Sequence, residues 1–121
     1  MKKAILLFVC LSLFSCKKNQ DLPDPLEAGW LGESVCELVH EDSHVRVLKC
    51  TFPPGVGHEK HQHQPHFGYT LQGSTFKMTD VKGSRTLDVI TGTSFSKDRV
   101  TEHEVVNVGY STAIFLIIEY K

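Results

Sequence analysis

The sequence has no surplus of positive charge, and this lack excludes one class of function. Its 121 residues contain 13 Lys and Arg against 14 Asp and Glu, a formal net charge of −1. A nucleic-acid-binding protein needs a basic surface, so no nucleic-acid partner is expected. The hydrophobic fraction of 40% is too high for a disordered chain. The length suits one small domain, because two separate cores of this size are hard to stabilise.

Several catalytic motifs are also missing. The sequence has no P-loop, no G-x-S-x-G nucleophile elbow and no G-x-G-x-x-G fingerprint for a dinucleotide. The segment His58–His61 is one residue short of the zinc-protease pattern HExxH, since position 62 is Gln. No CxxC pair occurs, so neither a zinc ribbon nor a thioredoxin-like motif is supported.

The N-terminus has the pattern of a bacterial export signal. A positively charged start (MKK) precedes the apolar run Ala4–Phe14, which is shorter than the ~20 residues that a membrane-spanning helix needs. The run ends in LFSC, a tetrapeptide that resembles the lipobox of bacterial lipoproteins. The resemblance implies a signal peptide of residues 1–15 and a lipid anchor at Cys16, and several acyl chains give stable attachment to a membrane. The alternative is an ordinary cleaved signal with an incidental cysteine.

The residues that follow the signal are expected to form a spacer. Residues 16–29 are polar with two prolines, which predicts a flexible tether that holds a domain of residues 30–121 away from the membrane. Lys17 stands where an Asp would retain some lipoproteins at an inner membrane. This favours the periplasmic side of the outer membrane if the cell is Gram-negative.

Two cysteines remain in the predicted domain, Cys36 and Cys50, on either side of a predicted hairpin turn around Asp42. A cell envelope is oxidising, so a disulfide is allowed there. A three-residue loop would place both side chains on one face of the hairpin, and a two-residue loop would place them on opposite faces. Free buried thiols are the favoured expectation.

From Trp30 onward, short β-branched and aromatic runs alternate with turn residues, and no segment has a convincing helical period. Eight or nine strands in about ninety residues predict an all-β sandwich or barrel. The apolar C-terminal run, residues 112–120, fits either a buried strand or an interface, and a homodimer is compatible with the sequence. The other predicted strands include residues 34–40, 44–52, 67–71, 75–79, 86–90 and 104–108.

Seven histidines are unusual in so short a chain. His61 and His63 are separated by one residue, and side chains at such positions share a face of a strand. Neutral imidazoles bind divalent transition metals, so the pair is a candidate metal site. His58 is expected on the surface, or alternatively beside the ligands. His40 and His44 flank the predicted hairpin turn and are expected to be solvated.

Two separate segments carry glycines and histidines at fixed spacing: Gly55, His61, His63 and Gly73 in the first, and Gly92, His103 and Asn107 in the second. They resemble the two motifs of the cupin family, although Asp98 and Val100 stand in place of the Pro and Gly of the second motif. The resemblance covers the chain from about Trp30. It implies a double-stranded β-helix, or jelly-roll barrel, that holds one divalent transition metal (Zn, Fe, Ni or Mn). Asn107 would orient a ligand or cap the following turn, and the turn is favoured.

By this resemblance the metal ligands are His61, His63, His66 and His103. His66 stands where the family has Glu, and it lies one residue closer to His63 than the family spacing. An odd offset would turn it to the other face of a continuous strand, whereas a turn at Pro65 would re-aim it inward. Both outcomes have precedent in the family, since some dioxygenases use three histidines and a zinc polyketide cyclase uses four.

An all-histidine site keeps a charge of about +2 with a divalent metal, which favours an anionic ligand and Lewis-acid chemistry. The leading expectation is a small-molecule enzyme of isomerase, lyase or cyclase type, acting on an oxo-acid or carbohydrate-derived substrate. Tyr69 and Glu102 are the candidate acid or base. The alternatives are a non-catalytic protein that binds a small molecule or a metal, and an Fe(II) dioxygenase. An enzyme predicts an apolar pocket beside the metal, whereas a metal-holding protein predicts a closed site.

Overall fold

A computed structural model describes residues 21–121, so the predicted signal peptide and the lipidation site Cys16 lie outside the described residues. This part of the chain contains eleven strands and no helix, so the predicted all-β class is confirmed. Within it, no helix is long and apolar enough to cross a membrane. The strands are β1 (Gly29–Trp30), β2 (Glu33–Ser34), β3 (Cys36–Glu41), β4 (Val45–Phe52), β5 (Gly57–His63), β6 (His66–Gln72), β7 (Ser74–Asp80), β8 (Gly83–Val89), β9 (Ser94–Lys97), β10 (Thr101–Asn107) and β11 (Ala113–Tyr120).

Two antiparallel sheets make up most of the domain. One has four strands in the order β5-β10-β7-β8, and the other has five in the order β3-β4-β11-β6-β9. The strands β1 and β2 form a small separate ribbon. The two large sheets contribute to one apolar core, so they face each other, and the edge strands β8 and β9 border the opening of a cavity between them.

Aromatic side chains fill one end of the space between the sheets. Phe52, Phe76 and Phe115 meet edge to face, with ring centroids 5.5 to 5.9 Å apart. Such contacts are worth about 0.5–1.5 kcal/mol each beyond the burial of area. Leu48 and Ile117 complete this part of the core. The packing fixes the spacing of the sheets and leaves the other end free for polar residues.

The apolar C-terminal run becomes the central strand β11 of the five-stranded sheet, paired with β4 on one side and β6 on the other. Its odd-numbered residues Ala113, Ile117 and Glu119 are buried on the inner face. Within the described residues, the C-terminal run is therefore a strand of the core. It carries one buried carboxylate, Glu119, among apolar side chains.

Asn107 caps the turn that leads into β11. Its side-chain nitrogen donates to the carbonyl oxygens of Phe52 and Ser111, both at 2.8 Å. Its side-chain oxygen accepts from the hydroxyl of Ser74 and the amide of Gly109. All hydrogen-bonding groups of this buried side chain are thus satisfied locally, as the turn interpretation predicted.

The described part of the predicted tether packs against the domain instead of extending away from it. The carbonyl oxygen of Pro23 accepts from the amide of Gln62, and the carboxylate of Asp24 forms an ion pair with Arg46 at 2.9 Å. Ala28 is buried, only 5% exposed. The polar composition of this segment could not predict these contacts, because they are made by backbone groups and by one carboxylate.

Cys36 and Cys50 form a disulfide, so the expectation of free thiols is wrong. The hairpin pairs Glu41 with Arg46 next to its turn, and the register then shifts by one between Leu38 and His40. This β-bulge places Cys36 directly opposite Cys50. Without it the two side chains would lie on opposite faces, which is why loop length alone could not predict the bond.

Candidate metal centre

Strand β5 carries three buried histidines because it contains a β-bulge. His61 pairs with His103, but His58 pairs with Val105, so two residues of β5 lie opposite one residue of β10. In a regular strand, side chains three positions apart face opposite ways; the extra residue turns His58 inward together with His61. His58 is 2% exposed and its ring stacks on that of His61 at 3.7 Å. The expectation of a surface His58 is therefore wrong.

His66 reaches the same space from the other sheet. The chain leaves the four-stranded sheet after His63, passes through Gln64 and Pro65, and enters the five-stranded sheet at His66. The side chain of His66 is buried, and its ring centroid lies 4.8 Å from that of His63. The odd offset in sequence does not turn His66 outward, because the turn at Pro65 separates two strands.

The nitrogens of three of the predicted ligands converge. His61, His63 and His103 each offer a nitrogen, and these atoms lie within 4.8 Å of one another. His66 borders this group through its contact with His63. The structure thus brings together all four histidines proposed from the sequence, with His66 at the side of a tighter group of three.

Hydrogen bonds at Nδ1 fix the tautomer of three of these imidazoles. Nδ1 of His61 donates to the carbonyl oxygen of Glu59 at 2.7 Å, and Nδ1 of His66 donates to that of Gln64 at 2.7 Å. Nδ1 of His63 donates to the carboxylate of Glu119 at 2.9 Å. With the proton on Nδ1, the other nitrogen of each ring is an acceptor.

This arrangement fits a bound cation. Nε2 of His61 lies 3.0 Å from Nε2 of His63, and both atoms are lone-pair acceptors, which repel unless a positive ion lies between them. Two nitrogens bound to one tetrahedral zinc ion at 2.0–2.1 Å are roughly 3.3 Å apart. The spacing and the neutral imidazole donors therefore suit Zn²⁺ or a similar divalent transition metal.

Burial keeps several of these rings neutral. Desolvation, together with the neighbouring imidazoles, lowers the pKa of His61 to about 2 and that of His103 to about 3. Desolvation is also the main cause that lowers the pKa of His66. Metal ligands must be deprotonated, so the site is ready to bind a metal at neutral pH.

A carboxylate that belongs to none of the sequence motifs lies behind His63. Glu119 is 2% exposed and accepts from Nδ1 of His63, while the Arg46 guanidinium binds its other oxygen at 2.5 and 3.0 Å. Burial raises the pKa of Glu119, but the hydrogen bonds from His63 and Arg46 outweigh it and hold this pKa below its usual value. A carboxylate in this position orients the ring and increases its basicity. Arg46 also binds Asp24, which connects the N-terminal segment to the site.

The two candidate acid–base residues do not face the cluster. Tyr69 lies between the inward positions Gly68 and Thr70 of β6, and its side chain is on the outer face, 38% exposed. Glu102 neighbours His103 on β10, so its side chain is on the other face of that strand, where it pairs with Lys60 at 3.8 Å. A catalytic role for either side chain at the histidines does not fit, because alternation along a strand separates adjacent residues.

A large cavity adjoins the histidines between the two sheets. Its volume is about 1290 Å³, above the ~300–1000 Å³ of most small-molecule sites. The walls beyond the histidines are mainly apolar, and charged side chains surround the mouth between β8 and β9. Its apolar lining includes Phe52, Phe76, Met78, Val89, Phe115 and Ile117.

No family model matches this sequence, and no curated protein sequence matches it either. Solved structures do match. A cupin domain protein from Bordetella pertussis Tohama I superimposes with a TM-score of 0.67 at 22% identity, over 84% of this chain and 97% of that chain. The polyketide cyclase RemF from Streptomyces resistomycificus gives a TM-score of 0.58 at 19% identity, over 70% of this chain and 63% of that chain.

A third match supports the same architecture. An uncharacterised protein from Klebsiella pneumoniae with a double-stranded β-helix domain gives a TM-score of 0.59 at 16% identity, over 73% of this chain and 72% of that chain. At these identities the matches establish the fold alone. The two facing sheets of the described residues and these superpositions identify the fold as the cupin double-stranded β-helix.

Proposed function

We propose that His61, His63 and His103, with His66 beside them, bind one divalent transition metal, and that the protein is a metal-dependent enzyme acting on a small molecule in the adjoining cavity. Isomerase, lyase or cyclase chemistry on an oxo-acid is the reaction class that this site suits best. The structural neighbour RemF is a polyketide cyclase, which supports an enzymatic use of the fold.

The cavity carries this proposal. A protein that only stores a metal needs a closed set of ligands and little free space, whereas this cluster opens on a cavity of about 1290 Å³. Its mainly apolar walls lower the local dielectric constant and so strengthen electrostatic interactions at the histidines. The space therefore favours a small-molecule ligand beside the metal.

The roles of the chain's own groups follow from the contacts. When bound, a divalent metal supplies Lewis-acid polarisation of a substrate carbonyl. Glu119 and the carbonyl oxygens of Glu59 and Gln64 accept the Nδ1 protons of His63, His61 and His66, which leaves Nε2 of each of these rings as a lone-pair donor for a metal. The apolar walls position the substrate, and the absence of a carboxylate ligand leaves the site more positive than a three-histidine, one-glutamate site.

The first test is the metal content of residues 17–121, measured by mass spectrometry after purification without an affinity tag. All the described strands lie within this part of the chain. We expect one equivalent of metal per chain and its loss in His103→Ala, with no loss in the control His44→Ala, whose side chain is 87% exposed. A wild-type protein that holds no metal after reconstitution with Zn²⁺, Mn²⁺, Ni²⁺ or Fe²⁺ would refute the proposal.

A second measurement separates an enzyme from a binding protein. Lewis-acid polarisation of a carbonyl makes the neighbouring C–H bonds more acidic, so that solvent can accept the proton and return a deuteron. The Zn²⁺-loaded protein should therefore accelerate deuterium exchange at carbon 3 of 2-oxobutyrate in D₂O. The exchange is followed by NMR, with the His103→Ala protein as the blank. Metal binding without any acceleration for this and related oxo-acids would favour the non-catalytic alternative. Iron as the bound metal would favour the dioxygenase.

We also propose that the domain is attached by Cys16 to a bacterial membrane and lies outside the cytoplasm. The Cys36–Cys50 disulfide supports this location, because such bonds persist in oxidising compartments. The full chain, expressed in a Gram-negative host, should fractionate with outer membranes and extract into detergent. Cys16→Ser should release it into the soluble periplasmic fraction. A wild-type chain found in the soluble fraction would contradict the lipid anchor.

A further inference from the structure

Lys97 lies on the inner face of the barrel next to the histidine cluster. It ends the edge strand β9 and pairs directly with His66 of β6. Residues directly opposite each other in an antiparallel pair share a face, so the side chain of Lys97 lies on the same face of the sheet as the buried His66 ring. Lys97 also lines the cavity, at an exposed position near its mouth.

The other charges around the cavity mouth are mostly neutralised by neighbours. Arg85 pairs with Asp80 at 2.9 Å, and Arg99 pairs with Asp98 at 3.0 Å. Among the described residues, two further carboxylates near the cavity are also engaged: Asp88 with the hydroxyl of Thr75 and, on the outer face of β10, Glu102 with Lys60. Lys97 forms no ion pair with any described residue, and neither does Lys82 in the turn between β7 and β8. Of these two unpaired lysines, Lys97 is the one that lies directly opposite a histidine of the cluster, His66, in the strand pairing.

An aromatic surface lies beside Lys97. Phe95 is two residues earlier on β9, opposite Gly68, and its ring lies directly against that glycine. A Cβ atom at position 68 would be only 2.2 Å from the ring, so glycine is needed for this contact. The Phe95 ring meets that of His66 edge to face at 6.0 Å and is 37% exposed. It therefore offers an open apolar surface within the cavity.

We infer that the cavity binds an apolar carboxylate, whose anionic group lies between Lys97 and the histidine cluster and whose apolar body packs on Phe95. This inference rests on the proposed function and adds the chemical class of the ligand. A carboxylate would gain a charge-assisted hydrogen bond from Lys97, and its hydrocarbon part would cover the aromatic wall. A neutral molecule of the same shape would gain only the second of these contacts.

The experiment compares two probes of nearly equal shape, 2-naphthoate and its neutral amide, 2-naphthamide. Binding to residues 17–121 is measured by calorimetry, in Zn²⁺-loaded and metal-free protein. We expect the wild type to prefer the carboxylate. Lys97→Met should weaken naphthoate by about 10- to 100-fold, the worth of a hydrogen bond to a charged group, and should leave naphthamide unchanged. Phe95→Leu should weaken both probes.

Lys77→Met is the matched control, because Lys77 alternates with the inward residues Phe76 and Met78 of β7 and so lies on the outer face. It should leave both affinities unchanged. An equal loss of both probes in Lys97→Met, no loss of naphthoate, or no binding of either probe to the wild type would overturn the inference. If zinc binds stoichiometrically in such a case, the proposed function survives. Selective loss of naphthoate in metal-free protein that takes up no metal would support Lys97 and refute the metal site.

Discussion

At the scale of single residues, the carboxylate of Glu119 sets the orientation of His63, one of the proposed metal ligands. It accepts the Nδ1 proton of His63 at 2.9 Å and is itself bound by Arg46. The full negative charge strengthens the basicity of the ring, whereas the carbonyl oxygens that accept from His61 and His66 are neutral. The ion pair with Arg46 offsets the cost of burying that charge.

Glu119→Gln tests this role. The amide oxygen can still accept the proton of His63 but carries no charge, so we expect the affinity for Zn²⁺ to fall by about 10- to 100-fold. The affinity is measured by competition with a chromophoric chelator. Glu41→Gln is the control, because Glu41 pairs with Lys121 at the surface. An unchanged affinity in Glu119→Gln would show that the negative charge of Glu119 serves only to pair with Arg46 and does not affect metal binding.

His61, His63 and His103 could be proposed from sequence because their order and spacing repeat a family pattern. His66 departs from that pattern in residue type and spacing, yet the structure places it beside the other three. Glu119 could not be proposed from sequence, since 56 positions separate it from His63. One signal was present: a charged residue inside a buried strand is rare unless it is paired. The carboxylate in the apolar C-terminal run therefore indicated a buried partner, but nothing in the sequence identified that partner as His63.

At the scale of strands, two β-bulges decide which side chains meet. The shift in β5 brings His58 beneath His61, and the shift in β3 brings Cys36 opposite Cys50. A bulge depends on how two strands pair, and that pairing is set by the rest of the sheet. Period-2 reasoning along a single strand therefore predicted the inward face of His61 and His63 correctly but failed for His58.

The disulfide across the hairpin of β3 and β4 is expected to stabilise the folded domain. The disulfide joins residues 14 positions apart, and a cross-link that closes such a loop stabilises by about 3 kcal/mol by limiting the unfolded chain. We expect the Cys36→Ala/Cys50→Ala protein to lose about this much free energy of unfolding in urea. Reducing the wild type with a phosphine should give the same loss. A double variant that unfolds at the wild-type urea concentration would contradict a stabilising bond.

At the scale of the whole molecule, folding places a cluster of neutral imidazoles inside an apolar barrel. Desolvation lowers the pKa of His58 from 6.5 to about 4, and its Nε2 proton is held by the carbonyl oxygens of Pro25 and Ala28. His61 and His103 are affected in the same direction. The unfolded chain takes up protons on these groups below pH 6.5, but the folded chain does so only in more acidic solution. Their contribution to stability is therefore complete above pH 6.5 and is lost as the pH falls toward the folded values.

Metal-free protein should accordingly lose stability between pH 7.5 and pH 5, before most carboxylates titrate. His58 alone accounts for roughly 2 kcal/mol of this loss, because unfolding takes up about one proton on its ring in that range. We expect urea unfolding in the presence of a chelator to show a smaller pH dependence in His58→Gln, whose amide can still donate to Pro25 and Ala28. The control His44→Gln changes an exposed ring and should retain the wild-type slope. An equal slope in the His58→Gln and wild-type proteins would mean that the ring is protonated or solvated in the folded state. Because the slope is compared, and not the stability itself, a general destabilisation by the substitution does not affect the result.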